Sequence, residues 1–131
     1  MSRLLAVNPE TLAPPRGYSH GMKGSGELLF VAGQVGWDRE GRLVSADFVE
    51  QFARALDNVL EVVRAAGGQP ASVGRMTVFV TDKAEYLERT RDLGEAWRSR
   101  MGKHYPAMAL VEVKALLEEG AKVEIEATAV V

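Results

Sequence analysis

Arg75-Met76-Thr77-Val78-Phe79-Val80-Thr81 decides the fold. Its polar and apolar residues alternate and it is rich in β-branched types, so it reads as a strand. A helical pattern lies on either side of it. In residues 47–66, Phe48, Phe52, Leu56, Val59 and Val63 recur at helical spacing on one face. Asp47 is placed to cap that helix, and Glu50 stands three residues later in capping-box register. Gly67-Gly68 supplies the left-handed residue that ends it. Beyond the strand, Asp82 with Glu85 opens a second helix, expected to run to about residue 101, with Tyr86, Leu93, Trp97 and Met101 as its apolar stripe. Gly94 inside it costs about 1 kcal/mol relative to alanine, which fits either close packing beneath it or a tolerated glycine. Gly102 ends the pattern.

Further strands lie outward from this centre. Residues 27–35 form a short apolar run bounded by glycines, read as a buried strand, and Asp38-Arg39-Glu40-Gly41 reads as a turn. Residues 107–113 and 122–131 are two more strands. In the last, Val123, Ile125, Ala127 and Ala129 share one face, while Lys122, Glu124, Glu126 and Thr128 share the other. The glycine cluster at residues 21–26 lacks the Gly-Lys-Ser/Thr ending of a phosphate loop and is read as a hairpin turn. The order of strands, helix, strand, helix and two strands predicts an α+β or α/β sandwich, with two helices on one face of a mixed sheet. Two helices cover one face only. The strands at 28–35, 76–80 and 107–113 also carry apolar residues on the other, a liability in a monomer. An oligomer with these bare faces packed together is therefore expected, with ligand clefts between subunits.

Composition narrows the function. At 131 residues the chain is expected to form a single domain, residues 1–131. It has no cysteine, which excludes disulfides, thiolate zinc sites and a cysteine nucleophile. A formal net charge of −2 gives none of the basic footprint of a nucleic-acid binder. No apolar run is long enough to span a bilayer, and the first twenty residues lack the pattern of a signal peptide. A cytoplasmic protein with no membrane partner is expected. His20 and His104 are the only histidines and no cluster has metal-ligand spacing, so no metal and no cofactor are expected. Arg98, Arg100 and Lys103 are read as cations favourably placed at a helix C-terminus. Trp37 either walls a cleft or buries in a neighbour.

Gly17-Tyr18-Ser19-His20, Leu29 to Gln34, Gln51 to Val59, Ala65-Ala66-Gly67-Gly68, Thr77 to Asp82, Tyr105-Pro106-Ala107, Val111-Glu112-Val113 and Val123 to Ala127 carry a resemblance. In order and spacing they resemble the RidA (YjgF, endoribonuclease L-PSP) family over nearly the whole chain. The resemblance implies an α+β fold of the chorismate-mutase-like type. It also implies a homotrimer with three intersubunit clefts that take a small-molecule metabolite. Active members hydrolyse 2-imino or enamino acids to 2-oxo acids and ammonia.

The resemblance also implies site residues. The family's tyrosine matches Tyr18, whose phenol can orient an imine or a carboxylate. Its water-positioning glutamate matches Glu124, with Glu126 as the neighbour on the same face. The usual Ser-Gly-Gln reads Ala32-Gly33-Gln34, losing a hydroxyl but keeping the Gly33 amide, while Gln34 is expected to satisfy backbone groups at the strand end. The asparagine position falls on Thr90. Active members read Pro-Ala-Arg-Ser where this chain reads Pro106-Ala107-Met108-Ala109, so a carboxylate-gripping guanidinium is replaced by a thioether. Losing such a contact costs on the order of 2–4 kcal/mol of binding. Arg16 is a conceivable substitute. An imine or enamine deaminase is expected, with a non-catalytic metabolite-binding or regulatory trimer as the alternative. An RNase role, a label some family members carry, is disfavoured by the net charge.

Overall fold

The computed structural model describes residues 4–131. In chain order it runs β1 (Leu4–Val7), β2 (Gly21–Gly24), β3 (Leu28–Gln34), α1 (Phe48–Ala65), a 3-10 turn (Pro70–Ser72), β4 (Val73–Val80), α2 (Lys83–Glu88), α3 (Thr90–Met101), β5 (Ala107–Glu112) and β6 (Val123–Val130). The main sheet has the order β3-β6-β4-β5. β5 runs parallel to β4, and β6 is antiparallel to both β3 and β4. Strands β3 and β4 are therefore parallel, with β6 inserted between them.

This order explains why the helices share one face. From β3 through α1 to β4, and from β4 through α3 to β5, the chain makes two crossovers that step across the sheet in the same direction. Crossovers of one hand stepping one way put their helices on the same side. The core forms there. Leu56, Val59 and Val63 from α1 and Val73, Val78, Val80, Val123 and Ile125 from the sheet are at most 1% exposed. Every second residue of β6 is buried, as the alternation predicted.

The caps follow the sequence in part. Asp47 accepts a hydrogen bond from the Glu50 amide at 3.1 Å, and Gly67 takes φ +89° behind α1. The reciprocal half of the capping box is absent. The Glu50 carboxylate instead takes the Ser45 hydroxyl, whose Oγ accepts from the Asp47 amide at 2.9 Å.

Three expectations need correction. The second helix is two: it breaks at Arg89 (φ −115°, ψ 21°), whose guanidinium is drawn to Asp47 at 3.0 Å and to Asp92 at 3.1 Å. Among the described residues there are thus three α-helices where two were expected. Gly21–Gly24 is a strand, not a turn; it pairs antiparallel with Leu4–Val7 in a small second sheet, and only Ser25-Gly26 turns the chain. Four residues are too few to show alternation, and two of the four in β2 are glycines, so the pattern gave no sign of either. Residues 27–35 are not a buried strand: β3 lies at the sheet edge, and of Leu28–Gln34 only Val31 is buried. No helix among the described residues is long and apolar enough to cross a membrane.

Two buried or half-buried amides hold the loops that frame the sheet. Gln51 is fully buried; its Nε2 donates to the carbonyls of Ser45 and Gly120, and its Oε1 accepts from the Lys122 amide. Asn58 donates to the carbonyls of Val35 and Trp37. Gln34 donates to the Ala32 carbonyl at 3.3 Å and accepts from the Trp37 indole at 3.4 Å, the strand-end role expected of it. Trp37 is itself half-buried in a bridge to Leu43.

Candidate functional site

The residues singled out by the sequence divide between the two faces of the sheet. Met76, buried under α1, pairs in register with Met108, and Val78 with Leu110. Met108 therefore points to the helical side. There it lines a cavity of about 210 Å³ together with Thr90, Gly17, Tyr86, Trp97 and Tyr105. One step along β4, Phe79 pairs with Glu124, so Glu124 points to the opposite, uncovered side.

Glu124 is half-buried there because β3 closes on it. A bulge between Val31 and Gln34 brings the Gly33 backbone against the carboxylate. A Cβ at Gly33 would stand 2.8 Å from the Glu124 Cδ, so only glycine fits without displacing it. Ala32 lies beside it, exposed. Glu126 is more exposed and pairs with Thr77 further along the face. A carboxylate packed against a glycine on an open face can position a water or move a proton.

Tyr18 sits at the sheet's other edge. Ser19 docks its segment on the start of β5: its amide donates to the Pro106 carbonyl at 3.0 Å, its hydroxyl to the Tyr105 carbonyl at 2.6 Å, and it bridges Ala107. This places Gly17 in the cavity wall. The Tyr18 ring does not line it; it packs edge-on against His20 at 5.4 Å between centroids. Ala107 pairs with Arg75 on β4. Arg16 is exposed and is not among the cavity walls. The histidine rings are spent on backbone carbonyls, His20 on Ala13 and His104 on Val73.

Four aromatic residues line the cavity, Phe52, Tyr86, Trp97 and Tyr105. Trp97 and Tyr105 stack with centroids 6.1 Å apart, and the Trp97 indole donates to the His104 carbonyl at 3.2 Å, fixing that wall. Tyr86 closes the far side against Phe48. Burial pushes its phenol above the usual value, so it stays protonated at neutral pH. Sequence reasoning assigned Tyr86 and Trp97 to a core stripe and did not see that they also wall a cavity. Periodicity reports which face is apolar, not whether the packing closes.

Residues 9–131 match the sequence model of the endoribonuclease L-PSP family. The chain belongs to the RidA (YjgF, endoribonuclease L-PSP) family. It is 33% identical to the 2-iminobutanoate/2-iminopropanoate deaminase of Escherichia coli K12, over 99% of this chain and 98% of that protein. It is 40% identical to the RutC family protein y4sK of Sinorhizobium fredii, over 84% and 83% of the two chains. Among solved structures it superposes on the Rid family protein YyfB of Yersinia pestis with a TM-score of 0.88, at 34% identity over 98% and 99% of the chains. The E. coli protein TdcF, solved with bound serine, gives 0.68 at 30% identity over 95% and 93%. The α+β fold implied by the resemblance is thus the fold of this RidA-family chain.

Proposed function

We propose that this RidA-family chain is a hydrolase of small imine or enamine metabolites, acting without a cofactor at clefts between the subunits of a homotrimer. The observation that carries it is the Glu124 carboxylate, held against Gly33 on a sheet face that no helix covers. The name of the E. coli relative supports the reaction class, and the serine bound to TdcF supports an amino-acid-sized ligand.

The reaction needs little machinery. Glu124 takes a proton from water as its oxygen adds to the imine carbon. Returned to the nitrogen, that proton completes a carbinolamine; Glu124 then takes the hydroxyl proton as the carbonyl forms and delivers it to nitrogen as the carbon–nitrogen bond breaks and ammonia leaves. The product is the 2-oxo acid. Tyr18 orients the substrate from the rim, and Ala32, Gly33, Thr90, Ala107 and Met108 surround it.

Within one chain Glu124 and Met108 lie on opposite faces, so one cleft takes both only if two chains supply them. The Gly33 edge of one subunit would meet the Met108 edge of the next. Repeated head to tail, such a contact closes into a ring. The test is the rate of 2-iminopropanoate hydrolysis, which the protein should raise above solvent. Glu124→Gln should lower that rate by about 10²–10⁴-fold, the usual weight of a general base. No acceleration by the intact assembly sinks the proposal.

One observation favours a second reading. Met108 lines the cavity where active members carry arginine, which suits a trimer that binds metabolites without turnover. If hydrolysis emerges only after Met108→Arg with Ala32→Ser, that reading holds. Neither reading includes a nucleic-acid or membrane partner, and steeply salt-dependent RNA binding would revive the RNase label.

A further inference from the structure

The cavity at Met108 is walled by one charged residue, Arg98. Gly94 and Arg98 are four residues apart on α3, hence on the same face, and both line the cavity. The guanidinium lies over the glycine: a Cβ at Gly94 would stand 3.0 Å from Arg98 Nη1 and 3.7 Å from its Cζ. What it would meet is a side-chain tip, not backbone. The helix-weakening glycine therefore leaves space for an arginine rather than for a close-packed element.

Arg98 is also uncommitted. Arg89 is paired with Asp47 and Asp92, and Arg100 with Asp57, whereas Arg98 makes no ion pair among the described residues. It is exposed, which puts it at the cavity mouth. Helix-dipole placement accounts for a cation near the end of α3. It does not account for a guanidinium folded over Gly94 beside an aromatic-walled hollow.

Behind that cation the walls are apolar, formed by Trp97, Tyr105, Met108 and Leu110, with hydroxyls from Thr90 and Tyr86. The volume of about 210 Å³ is below the roughly 300 Å³ at which drug-sized ligands begin to fit. A single cation at the mouth of a small apolar hollow suits a short-chain anion. A planar guanidinium matches a carboxylate in two-pronged fashion.

We propose that Arg98 anchors the carboxylate of a small organic acid whose short apolar tail enters the cavity against Met108. The charge that the family resemblance places at residue 108 is thereby supplied from α3. The proposal rests on the reading that this cavity is part of the substrate site.

The experiment titrates pyruvate, propanoate and neutral propanamide into the protein, following Trp97 by fluorescence and indole NMR. The wild type should bind both carboxylates and not the amide. Arg98→Gln should weaken carboxylate binding by about tenfold to a hundredfold, as for a charged hydrogen bond. Arg98→Lys should keep part of the affinity, and Gly94→Ala should weaken it by crowding the guanidinium. Circular dichroism checks that each variant folds. Equal carboxylate affinity in wild type and Arg98→Gln overturns the proposal. So does equal binding of propanamide, or no carboxylate binding by the wild type at millimolar concentration. Hydrolysis of 2-iminopropanoate on the same proteins separates the two readings. Hydrolysis that Arg98→Gln leaves unchanged overturns the anchor and keeps the hydrolase. Carboxylate binding that depends on Arg98, without hydrolysis, overturns the hydrolase and keeps the anchor.

Discussion

The two faces of the main sheet are made by the same strands and differ in almost everything else. On the covered face, Met76, Val78, Ile125 and Val123 belong to the core at no more than 1% exposure. On the open face, Phe30 is 76% exposed and Leu28 63%, side by side with the polar row Glu124, Glu126 and Thr128. The covered face is a finished core. The open face mixes exposed apolar side chains with carboxylates, a combination that neither solvent nor a dry core suits. Packing decides one face, and on our reading a second chain and a substrate decide the other.

The comparison predicts its largest effect on the covered side. Leu56 on α1 is fully buried, so Leu56→Ala removes apolar contacts and leaves a cavity. A loss of about 2–5 kcal/mol is expected from urea unfolding. A loss well under 1 kcal/mol would mean that the covered face is not the main source of stability.

Phe30→Ser probes the other side. In a lone chain a side chain this exposed contributes little, within about 0.5 kcal/mol. In an assembly that covers it, the same change removes a large aromatic from an interface. The expected outcome is a wild type that runs as a multimer by light scattering and a variant shifted toward single chains, with the folded content of each chain kept. A wild type that already runs as one chain would break this half of the comparison, and with it the argument for shared clefts.

The sequence made the covered face legible. The stripe from Phe48 to Val63 and the alternation of Val123 to Ala129 each name buried residues, because burial on one face imposes a period. It missed what has no period. The β1–β2 pair is short and glycine-bearing, and the break at Arg89 depends on Asp47, 42 residues away in sequence. The approach of Gly33 to Glu124 depends on the β3 bulge and has no signature in the pattern, but the place of Glu124 on the polar face of β6 was legible. Arg98 over Gly94 was not, because helical periodicity reads an arginine as solvent-facing and a glycine as a flaw. Their joint meaning needs the cavity beneath them.

The smallest effect concerns how the helical layer is joined. Asp47 caps α1 and also accepts from the Arg89 guanidinium at the junction of α2 and α3. That side-chain hydrogen bond first, and the backbone amide of Glu50 second, hold the Asp47 carboxyl below its ordinary value of 3.8. A carboxyl depressed in the folded state adds stability above its unfolded value, and that stability is lost as pH falls through the folded value. Asp47→Ala should therefore cost about 1 kcal/mol at neutral pH, mostly as a lost cap. The gap from wild type should begin to narrow below about pH 4, where Asp47 of the unfolded chain starts to protonate, and go on narrowing as pH falls through the lower folded value. Arg89→Met should reproduce part of the neutral-pH loss, since it removes the pairing but keeps the cap. A gap that stays constant from pH 7 to pH 3 would show that Asp47 acts without its charge, and the joint between the helices would then have to be sought in packing alone.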